Sequence, residues 1–136
     1  MKNSRKVYRH QYYIDHKEIE NKQSVKWRKE NPERSRELTL RWLNEHPWIT
    51  SYRHAKDRCN NPKSTFYRYY GGRGIQFLLT VDEVKQLWLR DKAYSLKQPS
   101  IDRKNNDRDY VYNNCRFIEQ SENSKKMHRD KKKRLK

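Results

Sequence analysis

The first third of the chain repeats itself every 15 residues, and that repeat limits where a core can form. Tyr12, Trp27 and Trp42 align, as do Asp15, Glu30 and Glu45, then His16, Asn31 and His46; the last two copies run on into Pro32 and Pro47. A polar residue followed by proline at the first helical position is a helix start, because the missing N–H would be unpaired there anyway and the fixed φ is already helical. Each copy therefore reads as a short helix of about four turns, and the arm as segmented, not one rod. Val25, Trp27, Leu38, Leu40, Trp42 and Leu43 supply only a thin apolar stripe, while Lys26, Arg28, Lys29, Arg34, Arg36 and Arg41 stay polar. Such helices cannot make a core alone. Two uses fit them: a solvated extension packed on the rest of the chain, or an arm lying along nucleic-acid phosphates.

A core must then come from residues 48–126. The stretch 49–70 begins helically through Ile49, Tyr52, Ala55 and Cys59, and Asn60-Asn61-Pro62 stops it. All three glycines of the chain follow, at Gly71, Gly72 and Gly74, which marks a backbone that needs positive φ or close approach to another group. A tight turn into a strand over residues 75–79 is favoured over a phosphate cradle, because no phosphate-loop Lys-Ser/Thr follows. Thr80, with Glu83 three residues on, is a capping-box start for an amphipathic helix whose Val84, Leu87, Trp88 and Ala93 face a core.

Charge narrows the partner. With 34 Lys+Arg against 17 Asp+Glu the formal charge is +17, which implies a polyanion, and nucleic acid first, since Lys and Arg gain affinity there by releasing condensed counterions. No apolar run approaches the roughly 20 residues of a spanning helix and no signal peptide is visible, so no membrane is expected and the protein is expected to be soluble and intracellular. Cys59 and Cys115 have no CxxC partner, which removes a zinc knuckle; both are expected reduced and partly buried. Residues 127–136 continue a strongly basic run, of the mobile kind that binds polyanions without sequence choice.

The segment 99–126 carries the chemistry. Residues 99–103 have strand character, 104–112 are polar and turn-rich, 115–118 alternate as a second strand, and Gln120 or Ser121 opens a helix carrying Asn123. A hairpin clamped on a helix lets Asp102 and Asn123 converge. One carboxylate and one amide oxygen suit Mg²⁺ or Mn²⁺, hard ions that keep several waters and take phosphate oxygens as remaining ligands. The plainer use of Asp102 is an ion pair with Arg103 or Arg116.

Two runs, NPKSTFYRYYGGRGI and PSIDRKNNDRDYVYNNCRFIEQSEN, resemble the HNH endonucleases of the His-Me finger or ββα-metal type, and especially small phage-borne members of the homing kind. The resemblance covers most of 48–126 and implies an α+β nuclease unit hydrolysing double-stranded DNA with Mg²⁺ or Mn²⁺. Carried over, Asp102 matches the acidic metal ligand, Asn114 the loop-pinning asparagine and Asn123 the helix ligand. The family's general-base histidine is replaced by Arg103, which cannot accept a proton from water. Arg103 instead suits a bidentate hold on the scissile phosphate. The base is then sought among Tyr67, Tyr69 and Tyr70, with His54, His128 or solvent as further candidates; the tyrosines also read as packing or base-stacking groups. Arg73, Arg116, Lys125 and Lys126 are the expected DNA contacts. The chain is thus read as a basic helical arm (1–47), an HNH-like domain (48–126) and a basic tail (127–136), acting as monomer or homodimer. The missing histidine also supports a non-catalytic DNA-binding protein on a degenerate scaffold, and charge alone would fit an RNA-binding protein.

Overall fold

The computed structural model describes residues 2–136, which fall into two compact units, Met1–Glu45 and His46–Lys136. The first unit is two helices, α1 (Lys2–Glu30) and α2 (Pro32–Glu45). The first two repeat copies have fused: α1 runs straight through His16 to Glu30 and is not broken there as the repeat suggests. Lys17 follows His16 where Pro32 follows Asn31, so the backbone N–H that a proline would remove is present and the helix continues. At Asn31 the chain does break, and Asn31 donates both its backbone N–H and its side-chain amide to the carbonyl of Trp27, at 2.9 and 3.0 Å. No residue of α2 is buried, as its thin apolar stripe requires.

The second unit holds the core. Helix α3 (Trp48–Asn60) begins just after Pro47 and contributes Ala55 and Cys59. The glycine segment forms a single 3₁₀ turn, Gly71–Arg73, closed by Gly74 at φ 86°. Gly71 is pressed against the carbonyl of Cys59 and the ring of Tyr67, so close that a Cβ would collide with both. The glycines therefore serve a tight chain approach, and Gly74 the left-handed turn. Residues 75–79 do not form a third strand. They run extended with Ile75 and Leu79 inward, but pair only through one parallel bridge, Phe77 with Tyr110. Leu78 N–H donates to Tyr110 O at 3.0 Å and Tyr110 N–H to Gln76 O at 2.9 Å; beyond this the facing segment is a folded loop that offers no further ladder.

Helix α4 (Val81–Arg90) starts with the full capping box, Glu83 N–H to Thr80 Oγ1 at 3.2 Å and Thr80 N–H to Glu83 Oε2 at 2.8 Å. Its Val84, Leu87 and Trp88 enter the core, and Trp88 meets Phe117 edge-on at 5.2 Å between ring centroids. Strands β1 (Pro99–Arg103) and β2 (Cys115–Glu119) form one antiparallel pair, with Ile101 opposite Phe117 and Asp102 opposite Arg116. The architecture is α+β, mostly helical, around this two-stranded sheet. Helix α5 (Gln120–Arg134) follows β2 directly and packs on both strands. The basic run expected as a tail from residue 127 belongs to this helix through Arg134. It is held to the β1–β2 loop by Asn106 donating to Asp130 (2.6 Å) and by Arg134 on Asp107 (2.6 Å).

Gly71→Ala is expected to destabilise the second unit by about 2 kcal/mol or more, through overpacking against backbone that cannot yield. Gly72→Ala, whose nearest neighbour is Tyr67 O at 3.2 Å, should cost clearly less. Urea unfolding midpoints of the two variants check the order.

Candidate functional site

A two-residue period sends Ile101 and Phe117 into the core and puts Asp102 on the opposite face of β1, beside Arg116. Arg116 Nε donates to Asp102 Oδ2 at 2.9 Å. Helix α5 covers this face, and from it Lys126 Nζ donates to Asp102 Oδ1 at 2.7 Å. The same ammonium meets Asn106 Oδ1 at 3.3 Å and the main-chain carbonyl of Arg103. Asp102 is therefore 2% exposed yet bonded on both oxygens. Of its two cations, Lys126 is the more deeply placed, with 13% of its side chain exposed against 41% for Arg116.

Asn123, one turn before Lys126 on α5, anchors its amide nitrogen on Ser100 Oγ at 2.8 Å and Ile101 O at 3.3 Å. Its Oδ1 accepts no hydrogen bond from any described residue, so the amide is fixed through nitrogen and keeps its oxygen available. Outside the ion-pair cluster opens a groove of about 400 Å³ lined by Arg116, Ile118, Glu122, Lys125, Lys126 and Arg129. Four of these six are cations, and two of the four are the partners of Asp102. Arg129 and Glu122 were not singled out from sequence. The signal for them was there in the helical spacing, since residues 122, 125, 126 and 129 share one face once α5 is known to continue through the basic run.

The β1–β2 loop is closed from beneath. Asn114 donates Nδ2 to the carbonyls of Asn105 (3.1 Å) and Asp109 (3.0 Å), while its Oδ1 accepts Asn105 N–H at 3.0 Å. Arg103, 6% exposed, donates Nη1 to Asn106 O (2.7 Å) and Arg108 O (2.8 Å). Its guanidinium lies 5.2 Å from the Tyr70 ring centroid and 4.9 Å from that of Tyr110. It is thus buried beneath the loop and not presented in the groove; gripping a phosphate with this side chain would require the loop to open. Arg58 also lies over the Tyr70 ring, at 4.8 Å from its centroid. Burial pushes the Tyr110 phenol up from its ordinary value, against the pull of Arg58 and Arg103.

The remaining expected residues are scattered. Tyr67 packs against Gly71 and Gly72, and Tyr69 is half-exposed with Arg68 over its ring. Arg73 binds Asp107 at 2.9 Å on the outer side of the loop. His54 and His128 are exposed. Among the described residues no group of three or more His, Cys, Asp and Glu converges, so an ion here would depend on a mixed carboxylate and amide set. Among them, too, no helix is long and apolar enough to cross a membrane. No family model, curated protein or solved structure matches this chain.

Arg103→Lys is expected to lower stability by about 2 kcal/mol, because an ammonium cannot reproduce the planar fork that serves two carbonyls while stacking on two rings; a shift in the denaturation midpoint reads this. The two thiols report the same burial chemically. Burial pushes Cys115 up to about 12 and raises Cys59, in each case against the pull of nearby arginines. The folded chain thus keeps the Cys115 proton that the unfolded chain releases near its ordinary value of 9.0. That contribution is full below pH 9.0 and is lost as pH rises toward about 12. Labelling by a disulfide reagent at pH 8 should accordingly be slow and follow the rate of unfolding.

Proposed function

We propose that this protein is a divalent-metal-dependent endonuclease acting on double-stranded DNA, built on a hairpin-and-helix unit of the ββα-metal (HNH) kind. The observation that carries the reading is a buried carboxylate, Asp102, whose two cation partners, Arg116 and Lys126, line a groove together with Lys125 and Arg129. Basic grooves bind phosphodiesters anywhere on a protein; a sequestered carboxylate beneath one is what hydrolysis by a bound cation needs. The donor chemistry fits Mg²⁺ or Mn²⁺, with Asp102 supplying a carboxylate oxygen and Asn123 the amide oxygen that its anchored nitrogen leaves available. When bound, such an ion would neutralise charge on the phosphate and on the departing 3′ oxygen.

The chain's own groups do the rest. Arg116, Lys125 and Arg129 hold the phosphate in the groove. Asn114 and Arg103 keep the loop closed over the end of β1, so that Asp102 stays in place. Tyr70 is the tyrosine of the 67–70 cluster that packs directly on Arg103, at the end of β1. The burial of an arginine where the family places its base favours one second reading, a DNA-binding protein without catalysis.

Incubated with supercoiled plasmid and Mg²⁺ or Mn²⁺, the wild type is expected to nick, and Asp102→Ala and Asn123→Ala to lose about 100-fold or more in rate. DNA binding without cleavage by all three proteins would leave the second reading.

A further inference from the structure

Three oxygens converge on the Lys126 ammonium: Asp102 Oδ1, Asn106 Oδ1 and the carbonyl of Arg103. A lysine head carries three N–H donors and no acceptor, so three oxygens satisfy it fully. None of the three is an accidental surface group. Asp102 is buried, the Arg103 carbonyl closes the last residue of β1, and Asn106 is steadied by its own amide nitrogen on Asp130 Oδ2 at 2.6 Å. This is a cation-binding nest made of hard oxygen donors, the kind that magnesium and manganese ions prefer.

We propose that Lys126 is the resident cation of this nest, and that a divalent ion gains Asp102 Oδ1 only by displacing it. The proposal rests on the metal-dependent reading above and adds to it the Arg103 carbonyl and the Asn106 amide oxygen as groups facing the ion. Two cations cannot share one carboxylate oxygen in a site so poorly exposed without strong mutual repulsion. The displaced ammonium already borders the groove lined by Arg116, Lys125 and Arg129, and can move out into it. In the free protein those three positive charges, against the single carboxylate of Glu122, oppose its release; a bound phosphate reverses the sign and draws it out. Lys126 therefore keeps divalent ions out until nucleic acid is in the groove. The apparent affinity for the ion is reduced by the fraction of molecules in which Lys126 has left the nest.

The test is Mn²⁺ binding to the full-length protein without nucleic acid, read from the electron paramagnetic resonance signal of the free ion. Lys126→Met and Lys126→Gln are compared with the wild type, and Asp102→Asn corrects for Mn²⁺ held elsewhere. A nest opened in about a tenth of molecules or fewer predicts that both Lys126 variants bind Mn²⁺ about tenfold more tightly than wild type, or better. Glutamine keeps a donor to Asp102 and guards against a folding failure of the methionine variant; circular dichroism melts establish that the proteins compared are folded. A lysine with a merely structural role would lower the melting temperature without tightening Mn²⁺ binding, and that result overturns the proposal. Equal Mn²⁺ affinity in wild type and both variants overturns it too, and leaves the hydrolytic reading standing. No Mn²⁺ bound by any of them beyond the Asp102→Asn background overturns both.

Discussion

The second unit is organised around one buried negative charge. An isolated carboxylate at the depth of Asp102 would be untenable, and removing one partner from such a buried pair typically costs about 3–5 kcal/mol. Asp102 is paired with cations from two different elements, Arg116 across the sheet and Lys126 from α5. That requirement does structural work in three directions. It fixes the register of β1 against β2, since only that alignment puts Arg116 opposite Asp102. It docks α5 on the sheet at one rotation, since only that rotation brings Lys126 inward. And it leaves the outer halves of the same cations lining a groove, so the device that stabilises the fold also creates the anion-attracting surface.

The loop between the strands is the second dependency. Residues 104–109 are polar and could not bury themselves by apolar contact, so they are held by hydrogen bonds: Asn114 and Arg103 from below, Arg73, Asp130 and Arg134 from the sides. Asp91, at the end of α4, ties the sheet from the other direction by accepting Phe117 N–H at 2.8 Å. Burial alone would raise its carboxyl, but bonds from Arg90 and from that N–H carry it below its ordinary value. A core this small is supplemented by charge-assisted hydrogen bonds at almost every junction, which is how a chain with 32% hydrophobic residues and 38% charged ones holds a defined unit.

Much of this was legible because it is local. Proline at 32 and 47, the Thr80 and Glu83 pair and the alternating pattern within each of the two strands all depend on residues within a turn or a strand of one another. The failures share a different cause. The first two repeat copies fuse into α1 because Lys17, and not a proline, follows His16, so nothing removes the backbone N–H there. Residues 75–79 have strand composition, but a strand needs a partner, and the partner segment turns away after one bridge. The Arg103 side chain looked free for a phosphate, because nothing local reveals that the loop after it will fold back and take its donors.

What the sequence determined by itself is the inventory: a positively charged chain, helix breaks at two prolines, and a hairpin followed by a helix. Only the tertiary structure decided their allegiances. Asp102 could have paired with Arg103 or Arg116 on sequence grounds; the pleat sends Arg103 under the loop and Asp102 to the other face, and α5 then delivers Lys126, a residue indistinguishable in sequence from the other lysines of its basic run. The reason is geometric. Charge type is written in each residue, but which charge lies within hydrogen-bonding distance of a buried carboxylate depends on strand register and helix rotation, and those are set by the packing of the whole unit.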